Sequence, residues 1–410
     1  MQKTAHDLPS MLYREDLLRA MQVHPQYDPS ICEADAPTRL MALSDMYDVF
    51  VPSDMSTEIY MKLYLMTQRA FRQKATVDAV RQQMQNRCYP IQSDRQGILG
   101  GIDCLSVIGE ANTGKSRTIG RAAVLIAGDN PIEIEKPFTR IIPVLLVQSM
   151  HDASLKGLLY EILRQTDMHL QTAMYREAVR SRATVDILLG MAARALNQHV
   201  CLIVIDECQN FAASKNGMKT VSCITQLLNM TTCAVCFVGT DSCLPFFESV
   251  PYLARRTTGL QYGALSYSDY FRQLCCELLS YRYVQNPIVV TDGLLDFLYQ
   301  HSAGLVGNVV SLVHDCQEIA IMSGKETVSI ETLSEAYRKR MGTLHGYIEA
   351  RKSVRTTTPR KAPGARRLPE NTAEKADSKL FDTLVKQAQA TREDVVTLLK
   401  SSIIVEEVRL

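Results

Sequence analysis

A stretch of eight residues, 109–116, has the sequence GEANTGKS and matches the pattern G-x-x-x-x-G-K-[ST] at every fixed position. Backbone N–H groups of such a loop, and of the helix that follows it, surround phosphate oxygens. Lys115 is expected to reach the β- and γ-phosphates, and the Ser116 hydroxyl to bind magnesium. The motif therefore predicts a site for ATP and Mg²⁺. The predicted nucleotide contacts are Gly109, Glu110, Ala111, Asn112, Thr113, Gly114, Lys115, Ser116 and Arg117.

Two apolar runs end in polar residues that could complete this chemistry. The run 201–205 is followed by Asp206 and Glu207, and the run 234–239 by Thr240. A carboxylate at the end of a buried strand is costly unless it meets a cation or a hydrogen-bond donor. We predict that Asp206 binds magnesium, directly or through water, and that Glu207 polarises the attacking water. Thr240 could orient that water or contact the γ-phosphate.

A pair of arginines, Arg255 and Arg256, lies in the sequence PYLARRTTG. An arginine there could reach the nucleotide of a neighbouring subunit and stabilise the charge that develops during phosphoryl transfer. The alternative is a solvated or salt-bridged surface pair. The sequence does not distinguish which of the two would act as the arginine finger.

The apolar patterns predict the elements that position these residues. Strands are predicted at 104–108, 141–147, 201–206 and 234–239, and helices at 117–127, 154–166, 184–198 and 218–230. Apolar strands that alternate with helices indicate an α/β fold with a parallel sheet flanked by helices on both faces. Further helices are predicted at 268–281, 292–301, 308–322 and 330–341, and they form a separate helical domain. Upstream, 17–21 and 54–87 are also predicted to be helical.

Five regions are predicted along the chain: an N-terminal helical extension (1–99), the nucleotide-binding α/β domain (100–266), a helical lid (267–345), a basic linker (346–379) and a C-terminal helix (380–410). The segment 351–367 carries seven cations and no acid, and its Pro content favours a flexible tether that contacts DNA only incidentally. The terminal helix could dock on a partner or fold back on its own chain.

The composition of the chain narrows the classes of protein to which it could belong. The chain has 410 residues, of which 46% are hydrophobic, and a formal net charge of +1. Any nucleic-acid binding must therefore come from a local basic patch. No run reaches the roughly 18 apolar residues of a membrane span, and the first residues lack the apolar segment of a secretory signal. The 12 cysteines lie mainly in apolar runs. We expect a cytoplasmic protein in a reducing compartment, with no membrane partner.

The order of phosphate loop, acidic strand end, polar strand end, arginine pair and helical domain resembles the AAA+ P-loop ATPases. Shorter matches narrow the resemblance to the TnsC/TniB class of transposon ATPases. They are DECQNF from 206, VCFVGT from 235, LARRTTG from 253, and HDASLKGL from 151, which is similar to a stretch of TnsC of Tn-seven-like transposons. The resemblance covers about residues 100–342.

This resemblance implies a regulator of DNA transposition that binds double-stranded DNA as a homo-oligomer, either a ring or a helical filament. It would connect a target-selection protein of the TniQ/TnsD kind to the transposase subunits, and ATP hydrolysis would disassemble it. In an AAA+ assembly the segments after the second and third strands face the central pore. Lys156, Lys215 and Lys219 are therefore the candidate DNA contacts, although a lone surface lysine is usually only solvated.

Two positions depart from the family pattern. Ala153 stands where the TnsC stretch has Gly, and Asn308 stands where the helical domain usually carries an arginine that senses the γ-phosphate.

Two other functions stay open at this point. One is an AAA+ helicase loader or replication initiator, which shares the ATPase core and DNA binding. The other is a signalling NTPase without nucleic acid, which the absence of an attached sensor or repeat domain disfavours.

Overall fold

The computed structural model describes residues 7–75, 103–128, 131–135, 138–149, 154–213, 220, 223–224, 226–227, 230–248, 257–346 and 348. The predicted sites at Lys215, Lys219, Arg255 and Arg256 lie outside these ranges, as do the basic run 351–367 and the C-terminal helix at 380–410. The domain boundaries stay predictions, because residues 76–102 and 349–410 also lie outside.

A mixed sheet of mostly parallel strands brings the predicted motifs to one edge. Its strands are β1 (Cys104–Gly109), β2 (Ile132–Glu135), β3 (Phe138–Gln148), β4 (Val200–Asp206), β5 (Ala234–Gly239) and β6 (Thr257–Tyr262). They lie in the order β2-β3-β4-β5-β1-β6. All pairs are parallel except β2 with β3, which is antiparallel. The carboxyl ends of β1, β4 and β5 therefore meet at the edge where α/β sheets bind ligands.

The predicted α/β fold with flanking helices is confirmed, and two strands are additional to the prediction. The sequence of β2, IEIE, is short and alternates, while that of β6, TTGLQY, has a single large aliphatic residue. Neither has the continuous apolar run by which the inner strands were predicted. Strand β6 nevertheless pairs along the whole of β1 and places Tyr262 beside Gly109.

The helices surround the sheet and then form the lid. They are α1 (Arg14–Met21), α2 (Ala36–Ala42), α3 (Asp54–Ala75), α4 (Lys115–Ala127), α5 (Leu155–Leu170), α6 (Met174–Arg180), α7 (Val185–His199), α8 (Gln209–Ala213), α9 (Leu244–Glu248), α10 (Asp269–Ser280), α11 (Asp292–Ser302), α12 (Val306–Met322) and α13 (Ile330–Arg340). Short 3₁₀ segments lie at Pro29–Glu33, Leu43–Asp48, Asp241–Cys243 and Gly342–Leu344. Within the described residues, none of these helices combines the length and apolarity needed to cross a membrane.

Side-chain caps fix where several of these helices begin. The hydroxyl of Ser268 accepts a hydrogen bond from the backbone N–H of Phe271 at the start of α10. Ser329 makes a full capping box with Thr332 at the start of α13. Such caps satisfy backbone donors that a helix leaves without intrahelical partners, and each typically contributes about 1 kcal/mol. They place the starts of the lid helices close to the boundaries predicted from the sequence.

Each face of the sheet has its own hydrophobic core. Because side chains alternate along a strand, Ile203 faces the cluster built with α5 and α7, while Leu202 faces the cluster built with α1, α3 and α4. Both side chains are almost completely buried. A third cluster forms the lid core from α10 to α13, and it also includes Leu43, Met46 and Val49 from the N-terminal part of the chain. The N-terminal residues are therefore part of the lid as well as of the sheet region.

Candidate nucleotide site

Backbone geometry explains the two glycines of the phosphate loop. Gly114 has φ 93°, a left-handed conformation that side-chain-bearing residues rarely adopt, and it directly precedes α4. Gly109 ends β1, where a Cβ atom would lie 2.0 Å from the Tyr262 carbonyl oxygen. Gly109 therefore allows β6 to approach β1 closely.

The Lys115 ammonium group lies inside the loop that it is predicted to serve. Its Nζ donates to the carbonyl oxygens of Gly109 (2.9 Å) and Glu110 (2.6 Å) and to the Thr113 hydroxyl (3.2 Å). Burial lowers the pKa of Lys115, and the nearby carboxylates of Asp206, Asp241 and Glu207 oppose that shift. A buried cation held by neutral carbonyls has a strong preference for a further anionic partner, which phosphate oxygens would supply.

The two predicted magnesium ligands lie on adjacent walls of the same cavity. Ser116 is in the first turn of α4 with its side chain exposed, and Asp206 is the last residue of β4. One Asp206 oxygen, Oδ1, accepts the Glu207 backbone N–H at 2.8 Å, which leaves the other oxygen for a cation. Mg²⁺ prefers oxygen ligands and usually binds through one or two protein groups together with substrate phosphates. The hydroxyl and carboxylate here fit that donor set.

The Glu207 carboxylate belongs to a hydrogen-bonded group at the ends of β4 and β5. The Gln209 side-chain amide donates from Nε2 to Glu207 Oε2, and its Oε1 accepts the Thr240 backbone N–H at 3.2 Å. The Thr240 hydroxyl lies 2.7 Å from that of Ser242. The acidic strand end and the polar strand end are therefore directly connected. Gln209 was not singled out as a site residue by the sequence, although it lies in the same motif.

A cavity of about 1370 Å³ joins these parts. Its lining includes Ala111 to Arg117 of the loop and helix α4, both acidic residues at the end of β4, and Thr240. Gly109 and Glu110 lie behind the lining and contribute their carbonyl oxygens to Lys115. Phosphate-binding donors, a carboxylate that can act as general base and oxygen ligands for Mg²⁺ in one cleft are what nucleotide hydrolysis requires. The predicted nucleotide, magnesium and catalytic residues within the described ranges thus converge, and their individual roles stay predictions.

A family model covers part of the residues that line this cleft. Residues 98–262 match the family model described as the bacterial TniB protein. Over these residues the chain is similar to the TniB family. The matched range is less than half of the chain, and it contains the phosphate loop, the acidic strand end and all six strands. No curated protein matched the chain.

Solved structures resemble the chain only distantly. The ORC2 protein of Aeropyrum pernix in its ADP form is 14% identical with a TM-score of 0.42, covering 59% of this chain and 63% of that one. The ORC1 protein of the same organism, in complex with DNA, is 16% identical with a TM-score of 0.40, covering 58% and 59%. The chain thus spans about three fifths of the length of both archaeal proteins. Similarity at this level says nothing about what this chain binds.

The side of the cleft that the lid forms, the lid wall, lies C-terminal to the residues that match the TniB model. It contacts the phosphate loop directly. The Gly307 backbone N–H donates to the Asn112 carbonyl oxygen at 2.9 Å, and the Asn112 side-chain amide donates to Asn308 Oδ1 at 3.2 Å. Asn308 is buried and also donates to the Ser302 carbonyl oxygen at 3.1 Å. Where the resemblance leads one to expect an arginine, this chain therefore has an asparagine that connects the lid to the loop.

Residues from the N-terminal part of the chain form another side of the cleft, the N-terminal wall, and no local motif predicts that they lie there. Arg117, predicted as a nucleotide contact, donates from Nη1 to the Tyr47 carbonyl oxygen and lies 5.9 Å from the centre of the Phe50 ring. The Tyr270 hydroxyl of the lid donates to the Val51 carbonyl oxygen at 2.9 Å, and burial raises the pKa of this tyrosine to about 12. All of these residues line the cavity. They are brought together by tertiary folding across more than two hundred positions.

A buried ion pair fastens the N-terminal residues to the lid. Arg39 makes a two-pronged contact with Glu326, with Nη1 2.6 Å from Oε2 and Nη2 2.8 Å from Oε1. The same guanidinium donates to the carbonyl oxygens of Tyr283 and Ala34, both at 3.0 Å. This pairing holds the pKa of the Glu326 carboxyl below its usual range. The sequence had assigned no role to the first 53 residues.

Lys156, the described member of the predicted DNA contacts, lies away from the nucleotide cleft. It is exposed in the first turn of α5, with its Nζ 5.6 Å from the centre of the Tyr160 ring. Helix α5 follows β3, so the residue occupies the segment after the second strand of the predicted order. Its position is compatible with a contact outside the cleft, and DNA binding by Lys156 stays a prediction.

Proposed function

We propose that this protein is an ATP-dependent, DNA-binding regulator of DNA transposition. It assembles as a homo-oligomer on double-stranded target DNA and connects a target-selection protein of the TniQ/TnsD kind to the transposase subunits. ATP hydrolysis drives its disassembly. The observation that carries the proposal is the coincidence of the TniB match, residues 98–262, with a cleft in which Lys115, Asp206 and Glu207 converge.

The cleft suggests how these side chains divide the work of hydrolysis. The Lys115 ammonium exchanges the carbonyl oxygens of its own loop for the β- and γ-phosphates. Ser116 and Asp206 would hold Mg²⁺, which when bound neutralises charge on the phosphates. Glu207 takes the proton of the attacking water, and Thr240 orients that water from the neighbouring strand.

Oligomerisation gives the arginine pair its proposed role. Arg255 and Arg256 precede β6, the edge strand beside β1, and both lie outside the described residues. In an assembly, one of them would reach the γ-phosphate bound to the adjacent subunit. ATP would then stabilise the contact between subunits, and hydrolysis would weaken it.

Electron microscopy of the full chain with duplex DNA tests the proposed assembly. A non-hydrolysable ATP analogue should give rings or filaments on DNA, and ADP should give far fewer because the subunit contact lacks the γ-phosphate. The absence of nucleotide-dependent assemblies on DNA would contradict the proposal. Addition of a purified helicase tests the helicase-loader alternative, because a stable ATP-dependent complex with helicase would favour that function instead.

Lys156→Ala tests the proposed DNA path. One phosphate contact fewer should weaken binding to any duplex sequence and reduce the salt slope, d log K/d log [salt], by about one unit. Lys62→Ala, which removes an exposed cation from α3, is the matched control and should leave both quantities unchanged. Identical salt titrations for the Lys156 variant and the wild type would remove this lysine from the DNA site.

A further inference from the structure

We propose that Gln209 is a positioning residue for hydrolysis: its side-chain amide holds the Glu207 carboxylate in place relative to the end of β5. The inference rests on the proposed ATPase function. Gln209 begins α8, two residues after Glu207, and it lines the nucleotide cavity. Its Nε2 donates to Glu207 Oε2 while its Oε1 accepts from the Thr240 backbone N–H at 3.2 Å. One side chain therefore spans the two strand ends that carry the proposed base and the water-orienting threonine.

The two contacts fix the orientation of the amide. If the amide were rotated by half a turn, its oxygen would face a carboxylate and its NH₂ group would face a backbone N–H. Both contacts would then be repulsive, so the observed orientation is the one that satisfies each partner. Oxygen Oε2 of Glu207 is thereby occupied by a donor, and Oε1 is left to accept a proton. Gln209 thus determines which carboxylate oxygen of Glu207 can accept the proton.

Packing around the amide leaves it little freedom to move. A Cβ atom at Gly239 would lie 3.0 Å from Gln209 Oε1 and 2.4 Å from the Cys243 sulfur. Glycine at the end of β5 is therefore what lets the amide reach the Thr240 N–H. The Cys243 thiol also lies 3.9 Å from Gln209 Oε1, and burial raises its pKa to about 11, so it stays a neutral neighbour.

The backbone of Glu207 is also held in a defined conformation. Glu207 has φ 59°, in the left-handed region that residues with a side chain adopt only at a cost in free energy. The hydrogen bond from its N–H to Asp206 Oδ1, at 2.8 Å, offsets part of that cost. The main chain and the side chain of Glu207 are thus both fixed before any ligand arrives. Such preorganisation raises the rate of the chemical step more than it affects substrate binding.

Steady-state kinetics of two variants test this role. Gln209→Met keeps the length of the side chain and removes both hydrogen bonds, while Gln209→Glu keeps the acceptor for Thr240 and places a second carboxylate against Glu207. We expect kcat for ATP to fall about 10- to 100-fold in both, which is typical when a reacting group is misplaced by about 1 Å. KM and the affinity for ADP should stay within about threefold, because Gln209 makes no proposed phosphate contact. Gln198→Met, on the exposed face of α7, is the matched control and should be unchanged.

The outcomes separate this inference from the proposed function. Normal kcat in both variants, or a loss of ADP affinity in both, would overturn the positioning role and leave the ATPase function intact. A wild-type protein that binds ADP but does not hydrolyse ATP, with or without DNA, would overturn the proposed ATPase function itself and the positioning role with it. A fall in kcat at constant KM in either folded variant supports the proposal.

Discussion

Two walls of the nucleotide cleft, the strand-end wall and the lid wall, are built in different ways. The strand-end wall takes Lys115, Asp206, Glu207 and Thr240 from short motifs that directly follow buried strands. The lid wall depends on contacts between distant parts of the chain: Asn112 and Asn308 are 196 positions apart, and the ion pair of Arg39 with Glu326 spans 287. The first wall holds the groups that we propose for catalysis, and the second connects the phosphate loop to the lid and the N-terminal residues. Changes in the loop on nucleotide binding therefore have a direct route into the lid.

Lys115→Ala breaks the strand-end wall and should have the largest effect. It removes the cation that the loop surrounds, and truncation of a buried charge that pairs with an anion typically costs several kcal/mol. We expect ATP affinity to fall about 1,000-fold by calorimetry and nucleotide-dependent assembly on DNA to disappear. Lys62→Ala is the control. An unchanged ATP affinity in the Lys115 variant would show that the cleft binds nucleotide by other means.

Arg39→Met removes the buried ion pair that connects the N-terminal residues to the lid. Only 3% of the Arg39 side chain and 14% of the Glu326 side chain are exposed, so removing one partner leaves an unpaired charge. We expect the free energy of unfolding, measured in urea, to fall by about 3 kcal/mol. Because Arg39 lowers the pKa of Glu326, this contribution is present at neutral pH and is lost as the pH falls through that lowered pKa.

A surface ion pair provides the comparison for that measurement. Arg69 pairs with Asp103, but 63% of the Arg69 side chain is exposed to solvent. Arg69→Met should therefore change the free energy of unfolding by less than about 1 kcal/mol. Equal effects for Arg39→Met and Arg69→Met would mean that the buried pair does not fasten the N-terminal residues to the lid.

Gly307→Ala perturbs the contact between the lid and the loop, and its effect should be smaller. The added Cβ would lie 3.0 Å from Asn112 Cβ, so the lid helix or the loop must shift by a few tenths of an ångström. We expect a cost of about 1 kcal/mol, observed as roughly fivefold weaker ATP binding. Gly190→Ala is matched, since it is also helical but has no atom within 4 Å of the added Cβ, and it should leave ATP affinity unchanged. An unaltered affinity in both would show that the lid contact is not linked to the nucleotide.

The contrast between the walls also explains what the sequence could predict. The phosphate-loop and strand-end residues could be predicted from the sequence because each motif directly follows its strand along the chain. The approach of Asn308 to Asn112, and of Tyr47 to Arg117, depends on tertiary folding, which no local period encodes. The substitution at Asn308 was visible as a departure from the family, but its contact with the loop was not. Strand β6 was missed because its composition lacks the apolar run of an inner strand.

Glu207→Gln offers the most direct test that hydrolysis releases the protein from DNA. The substitution keeps the shape of the side chain and removes its capacity to take a proton, so kcat should fall about 100-fold or more while ATP affinity is retained. Light scattering on duplex DNA after addition of limiting ATP should show assemblies that decay in the wild type and persist in the variant. A variant that hydrolyses ATP at the wild-type rate, or whose assemblies decay as fast as those of the wild type, would contradict the proposed role of Glu207 and of hydrolysis in disassembly.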